Sequence, residues 1–185
     1  MFKAVIIGGS AGSFRVITRI LQTLPKNYPL PILLNLHRLK HVRSGFVEAL
    51  SIKSSIPVIE PYDKDSIKPG RAYLAPSNYH MYIELNKKIA LSTEEPVNHS
   101  RPSIDVSFET AAQTYGKNLL GIILSGANRD GAYGLQKLKK HGGTAIVQDP
   151  DECEVPTMTK AALNHTEVDH ILSSSQIIDF LLNIK

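Results

Sequence analysis

A hydroxyl, an imidazole and a carboxylate each stand just beyond an apolar run of this chain. Ser10 follows Ala4-Val5-Ile6-Ile7-Gly8-Gly9, His37 follows Ile32-Leu33-Leu34-Asn35-Leu36, and Asp130 lies in the loop after Leu119-Leu120-Gly121-Ile122-Ile123-Leu124. A serine hydroxyl is a poor nucleophile at neutral pH unless a base takes its proton. An imidazole can take that proton and return it to the leaving group, and a carboxylate can fix the imidazole's tautomer and stabilise its cation. Backbone N–H groups around Ala11, or around Ala127-Asn128, could face the oxyanion of such an attack. Singly, each residue has a plainer reading: a turn serine, a structural histidine, a turn or capping aspartate. Their common position at strand ends is what joins them.

The stretch Ile6-Ile7-Gly8-Gly9-Ser10-Ala11-Gly12-Ser13 also suits an anion or a nucleotide phosphate, because it crosses from a strand to a helix N-terminus. The nucleotide fingerprints fail. The third glycine of G-x-G-x-x-G is missing, no acidic residue ends the second apolar run, and no G-x-x-x-x-G-K-S/T loop occurs. Gly8-Gly9-Ser10-Ala11-Gly12 matches the letters G-x-S-x-G, but the turn follows the first strand. The chain order Ser, His, Asp also differs from the Ser, Asp, His of the hydrolase fold that uses that motif.

Positioning these groups requires alternating strands and helices. Val16, Ile17, Ile20, Leu21 and Leu24 have helical spacing, and Pro25 ends that helix. Phe46, Val47 and Leu50 predict a helix over about 42–51, and short strands are expected near 57–60 and 71–75. His80 to Leu85 and Lys88 to Ser92 flank Asn86-Lys87, which predicts an antiparallel hairpin interrupting the alternation. Ser103 is placed to cap a helix running to Tyr115, and Gly116 ends it. Further helices are expected over 132–141, from Pro156 to Leu163, and after Ser173 or Ser174; strands are expected over 144–148 and, at an edge, 168–172. The pattern predicts an α/β fold: a doubly wound, mostly parallel sheet, helices on both faces and a small hairpin near residues 80–92. In such sheets ligands bind beyond the strands' C-terminal ends, where Ser10, His37 and Asp130 fall.

The chain of 185 residues is expected to form a single domain, 1–185, without internal repeats. It is 42 % hydrophobic and 21 % charged, with a net charge of +4. The basic residues are scattered and lack interleaved aromatics, so nucleic acid is not an expected partner. No apolar run is long enough to span a membrane and no signal-peptide pattern opens the chain, which predicts a cytoplasmic protein. The one cysteine, Cys153, lies among Asp149, Asp151, Glu152 and Glu154, whose charges disfavour a thiolate. No cofactor or metal is expected.

Several segments together resemble the catalytic domain of the bacterial chemotaxis receptor methylesterases, the CheB family. Ile7-Gly8-Gly9-Ser10-Ala11-Gly12-Ser13 looks like its I-G-x-S-x-G-G turn, and His37 falls where the family carries its histidine. Pro69-Gly70-Arg71-Ala72-Tyr73-Leu74-Ala75-Pro76 is similar to P-G-x-x-Y-x-A-P, and Arg101-Pro102-Ser103-Ile104-Asp105-Val106 with Phe108 to R-P-S-x-D-x-x-F. Gly126-Ala127-Asn128-Arg129-Asp130-Gly131 follows the G-M-G-x-D-G loop in outline.

The resemblance implies a serine esterase for glutamyl methyl esters, with possible glutamine deamidation. Ser10 would be nucleophile, His37 base and acid, and Asp130 orienter, with Ala11 and Ala127 as oxyanion donors. It implies methylated chemoreceptor helices as partner and a receiver protein acting in trans. Arg38, Arg101 and Asn128 are then candidates to contact substrate, whereas Asp105 is expected to support its helix. The departures are Ser13 for the family's glycine, Leu36 for its glutamine, Ala127 for its methionine, and Asn128 for a glycine that would ask asparagine to hold a left-handed turn. The competing readings are a non-catalytic homologue that binds the same receptor and an esterase for another substrate.

Overall fold

Residues 1–37 and 45–184 are described by the computed structural model. The strands are β1 (Ala4–Gly9), β2 (Ile32–Leu36), β3 (Val58–Ile59), β4 (Ala72–Leu74), β5 (His80–Ile83), β6 (Ile89–Ser92), β7 (Leu119–Ile123), β8 (Thr144–Gln148) and β9 (His170–Leu172). The α-helices are α1 (Phe14–Thr23), α2 (Phe46–Lys53), α3 (Ile104–Tyr115), α4 (Ala132–Lys140), α5 (Thr157–His165) and α6 (Ser174–Leu182). The predicted start of the second helix at about residue 42, and Arg38, lie outside the described residues.

Seven strands form one sheet in the order β3-β4-β2-β1-β7-β8-β9, and every pairing in it is parallel. β5 and β6 pair antiparallel in a separate two-stranded sheet. The expected doubly wound sheet and hairpin are both present. β1 is central: the chain leaves it for β2 on one side and later returns to β7 on the other. The order therefore reverses between β1 and β7, where open parallel sheets form their ligand crevice.

Each central strand is buried on both faces, which is why these segments read as continuous apolar runs. Val5 and Ile7 of β1 join Ile17, Ile20 and Leu21 of α1 and Ile177 and Leu181 of α6 on one face. Ala4 and Ile6 join Phe108 and Ala112 of α3, Leu135 and Leu138 of α4, and Met81 of the hairpin on the other. The period-2 alternation of β1 thus divides its side chains between two apolar layers.

Register fixes what happens at the strands' ends. Gly9 lies opposite Leu36, and Gly8 opposite both Asn35 and Ile123. β1, β2 and β7 therefore finish at one level, and the residues that follow them emerge side by side.

Candidate active site

The turn after β1 is stitched to the loop after β7. Ser10 N–H donates to Ser125 O at 2.9 Å, and Ser125 Oγ donates to Ala11 O at 2.8 Å. Val155 N–H donates to Ser125 Oγ at 3.0 Å. Gly12 must be glycine: its φ is +83°, and a Cβ there would lie 2.6 Å from Ser125 Oγ. Ser13, a departure from the family's glycine, has φ −81° and needs no glycine. It is buried, and its Oγ donates to Ser10 O at 2.7 Å, closing the turn.

His37 N–H donates to Gly9 O at 3.1 Å, so β2 carries the histidine alongside the Ser10 turn. Two residues earlier Asn35 is buried, and its Nδ2 donates to Ser103 O at 2.8 Å and Ser107 Oγ at 2.7 Å. That ties the end of β2 to the first turn of α3. The His37 ring is 2.8 Å from Asp130, through Nε2 and Oδ2. With Nε2–H donating to the carboxylate, Nδ1 is the basic nitrogen. Its contact is Asn128 Nδ2 at 3.4 Å, a long hydrogen bond.

Asp130 is fully buried. Its Oδ1 accepts from Ser103 Oγ at 2.9 Å, Asp105 N at 3.2 Å and Asn98 Nδ2 at 3.2 Å; its Oδ2 accepts from Ile104 N at 2.6 Å besides His37. The carboxylate thus sits on the N-terminus of α3, where the exposed N–H groups and the helix dipole favour negative charge. Burial alone would raise its pKa. The hydrogen bonds from His37, Ile104 and Asp105, with the imidazole's charge, hold it below the ordinary carboxylate value.

Asp105 repeats the arrangement on the other helix. Its Oδ1 accepts from Gly131 N at 2.9 Å and Gly134 N at 2.6 Å at the start of α4, and its Oδ2 from Asn98 Nδ2 at 2.7 Å. Burial pushes its pKa up to about 6, with Asp130's charge adding to the rise and the N–H donors opposing it. The two helices approach closely enough that a Cβ on Gly134 would lie 2.9 Å from the backbone of Asp105.

Ser10, His37 and Asp130 thus emerge at one edge, but the contacts join only His37 to Asp130. Ser10 Oγ makes no hydrogen bond among the described residues, so the expected continuous chain from serine to carboxylate is half formed. The N–H groups of Ala11 and Ala127 have no protein partner among the described residues, and both residues are exposed. Asn128 does not adopt the left-handed backbone that glycine replacement suggested; the left-handed non-glycine residues near the site are Asn98 (φ 50°) and His99 (φ 62°). Instead Asn128 Oδ1 accepts from Asp130 N at 3.1 Å, so the side chain shapes the turn. Nδ2 also lies 3.3 Å from Ser100 Oγ.

Arg101, a candidate for substrate contact, is engaged within the protein. Its Nε and one terminal nitrogen donate to Asn78 Oδ1 at 3.2 and 2.8 Å, and the other to Thr93 O and Glu94 O at 2.6 and 2.9 Å. The guanidinium braces the loop after β6. Among the described residues, Arg15 and Arg19 are cationic side chains beside the nucleophile turn, exposed one turn apart on α1. They line a groove of about 530 Å³ with Gly12, Gln148, Glu152 and Glu154.

Ser125, Asn98 and His80 also belong to the surroundings of the site, and no local pattern marks them. His80 is buried; its Nε2–H donates to Glu95 O at 3.0 Å and its Nδ1 accepts from Ser103 N at 3.2 Å. That fixes a neutral tautomer behind the cap of α3. Its one signal in the sequence was of resemblance, since His80 follows the Pro69 to Pro76 segment. Cys153 is half-buried, and burial raises its thiol pKa, as the neighbouring Glu152 and Asp149 charges also do. Among the described residues no group of three or more His, Cys, Asp or Glu is arranged to hold a metal ion, and no helix is long and apolar enough to cross a membrane.

Comparison with known proteins agrees with the fold. The chain is similar to a Thermotoga maritima protein named protein-glutamate methylesterase/protein-glutamine glutaminase, 32 % identical over 98 % of this chain and 54 % of that protein. A Leptospira interrogans protein, provisionally named for the same two activities, is 42 % identical over 99 % of this chain and 95 % of its own length. The chain therefore spans nearly all of one relative and about half of the other. The crystal structure of the Thermotoga maritima CheB methylesterase catalytic domain superposes with a TM-score of 0.92 at 32 % identity, covering 98 % of each chain. The family profile described as CheB methylesterase matches residues 5–181, and on this ground, with the fold in agreement, the chain belongs to the CheB methylesterase family.

Proposed function

We propose that this protein hydrolyses γ-glutamyl methyl esters of chemoreceptors, with Ser10, His37 and Asp130 as its triad. The observation that carries the reading is the 2.8 Å contact between His37 Nε2 and the buried Asp130 carboxylate at the strand edge shared with the Ser10 turn. In this reading Nδ1 is the base, because Nε2 faces the carboxylate. Ser10 Oγ attacks the ester carbonyl while Nδ1 takes its proton, and Asp130 stabilises the resulting imidazolium. The N–H groups of Ala11 and Ala127, unpartnered among the described residues, are the candidate oxyanion donors. Collapse of the tetrahedral intermediate releases methanol, which takes the proton from Nδ1. Water then attacks the acyl-enzyme by the same route, leaving a glutamate carboxylate and the free serine. A glutamine side chain would react similarly, with ammonia leaving.

For Ser10 to reach Nδ1, it must displace the long Asn128 contact, which at 3.4 Å is the weakest link of His37. Substrate entering between the β1 turn and the β7 loop would make that exchange, since catalytic hydrogen bonds commonly tighten only in the complex. Residues 1–185 act in this reading as one catalytic domain in the cytoplasm. The partner is the methylated helical region of a chemoreceptor, and a receiver protein can regulate the enzyme in trans. Arg15 and Arg19 beside the turn are suited to carboxylates flanking the ester. The test is methanol release from methylated receptor. Wild type should turn over, and Ser10→Ala and His37→Ala should each lose at least about 10³-fold. Receptor binding without turnover, unchanged by either substitution, would favour the non-catalytic reading.

A further inference from the structure

The carboxylate Asp130 has one side-chain donor that sits neither in a helix cap nor in the triad. Asn98 Nδ2 lies 3.2 Å from Asp130 Oδ1 and 2.7 Å from Asp105 Oδ2. It comes from a tight turn: Val97 and Ser100 exchange both backbone hydrogen bonds, at 3.2 and 2.9 Å, around Asn98 and His99, which both have positive φ. That is the geometry of a two-residue type I′ turn, in which asparagine is tolerated far better than most side chains. The turn holds the amide between two buried carboxylates.

We propose that Asn98 is a positioning residue of the triad, held by Asp105, which fixes the outer oxygen of Asp130 while the inner oxygen faces His37. This rests on the triad assigned above. Every partner of Asp105 is a donor: Gly131 N, Gly134 N and Asn98 Nδ2. The arrangement therefore uses Asp105 ionised, beside an ionised Asp130. An amide with two N–H groups can serve one carboxylate each and offset their repulsion. An aspartate has no N–H to give, and a glycine has no side chain at all. Removing the donor leaves more negative charge on Asp130 toward His37, which strengthens the imidazolium and moves the acid limb of activity to higher pH. The titratable groups around this cluster are few. His37 and Asp130 face it from the β2 and β7 ends, and His80 of β5 lies behind Ser103 in its neutral tautomer. Glu109 of α3 is paired with Lys137 of α4 at 3.2 Å.

The experiment compares Asn98→Gly, which permits the positive φ but removes the amide, with Asn98→Asp and the control His99→Gly. Two quantities are read: the pH profile of methanol release, and the His37 imidazole titration by NMR, which needs no substrate. Asn98→Gly is expected to lower kcat about tenfold with KM within twofold, and to move the His37 titration upward. Asn98→Asp should lower kcat further and move the titration further in the same direction, because it adds a third carboxylate. His99→Gly should change neither. The proposal is overturned if the His37 titration and kcat stay at wild-type values in both Asn98 variants, or if His99→Gly shifts them equally. Should wild type release no methanol while the Asn98 variants still shift His37, the proposed esterase function fails and the positioning role stands.

Discussion

The two halves of the site differ in how completely the folded chain determines them. Asp130 is buried and has five donors from three different segments, three of the donors at the start of α3. Ser10 projects from a turn whose backbone is fixed by Ser125 and Ser13, yet its hydroxyl is unbonded among the described residues, and Ala11 and Ala127 are exposed. The difference follows from the work each half does. A carboxylate that stabilises an imidazolium must be oriented before substrate arrives, since reorienting it during reaction would cost the advantage of a preorganised site. A nucleophile and its oxyanion donors must stay accessible to the ester.

The contrast can be broken at several points. Asp130→Asn should cause the largest change: a loss of about 10⁴-fold in kcat, together with a lower Tm because an NH₂ group would face an array of donors. Retained activity would show that the carboxylate is not the orienter. Gly134→Ala places a methyl group against the backbone of Asp105 and should destabilise by about 1–3 kcal/mol, read from urea midpoints. The same substitution at Gly45, the N-cap of α2, meets open space, so its cost comes from backbone strain at φ +91°, about 1 kcal/mol.

Acid titration sharpens the comparison next. Asp130's pKa is depressed in the folded chain, so its contribution is present above about pH 4 and is lost as pH falls through the folded value. Asp105 has the opposite sign. Its raised value, about 6, makes the folded chain hold a proton that the unfolded chain has released, so this contribution is lost as pH rises from about 4 to 6. Asp105→Asn should therefore flatten the stability profile over that interval, and an unchanged slope would show that Asp105 does not titrate there. The smallest effect is expected from Arg101→Lys: a drop in Tm of a few degrees from losing the fork to Asn78 and two carbonyls, with KM for the receptor unchanged. A large rise in KM would return Arg101 to the substrate side.

The legibility of the site varied with the range of the interactions. Glycine-bearing turns after apolar runs marked the ends of β1 and β7, and the helical spacing after Ser10 and after Ser103 marked α1 and α3. These signals are local, and the structure has elements there. The hairpin was visible because β5 and β6 adjoin in the chain. Asn128 and Arg101 were legible as departures or as motif residues, but not by role. A one-residue comparison with a glycine suggested a left-handed backbone at Asn128, whereas its side chain accepts Asp130 N–H and the left-handed positions fall at Asn98 and His99. Arg101 has the chemistry to meet a carboxylate, but Asn78 and two carbonyls lie within its reach.

What the sequence by itself determined is the set of elements, the strand-end placement of Ser10, His37 and Asp130, and through its motifs the family. Those follow from periodicity, turn chemistry and short segments read in order. Only the tertiary structure decided that β1, β2 and β7 end level and that α3 and α4 exchange capping carboxylates. It also decided that Asn98 sits between Asp105 and Asp130. These pairings join residues 25 or more positions apart, except for Asn98 with Asp105. Their hydrogen bonds form only after the apolar layers on both faces of the sheet have brought the helix starts together, and no local pattern encodes where a distant donor will arrive.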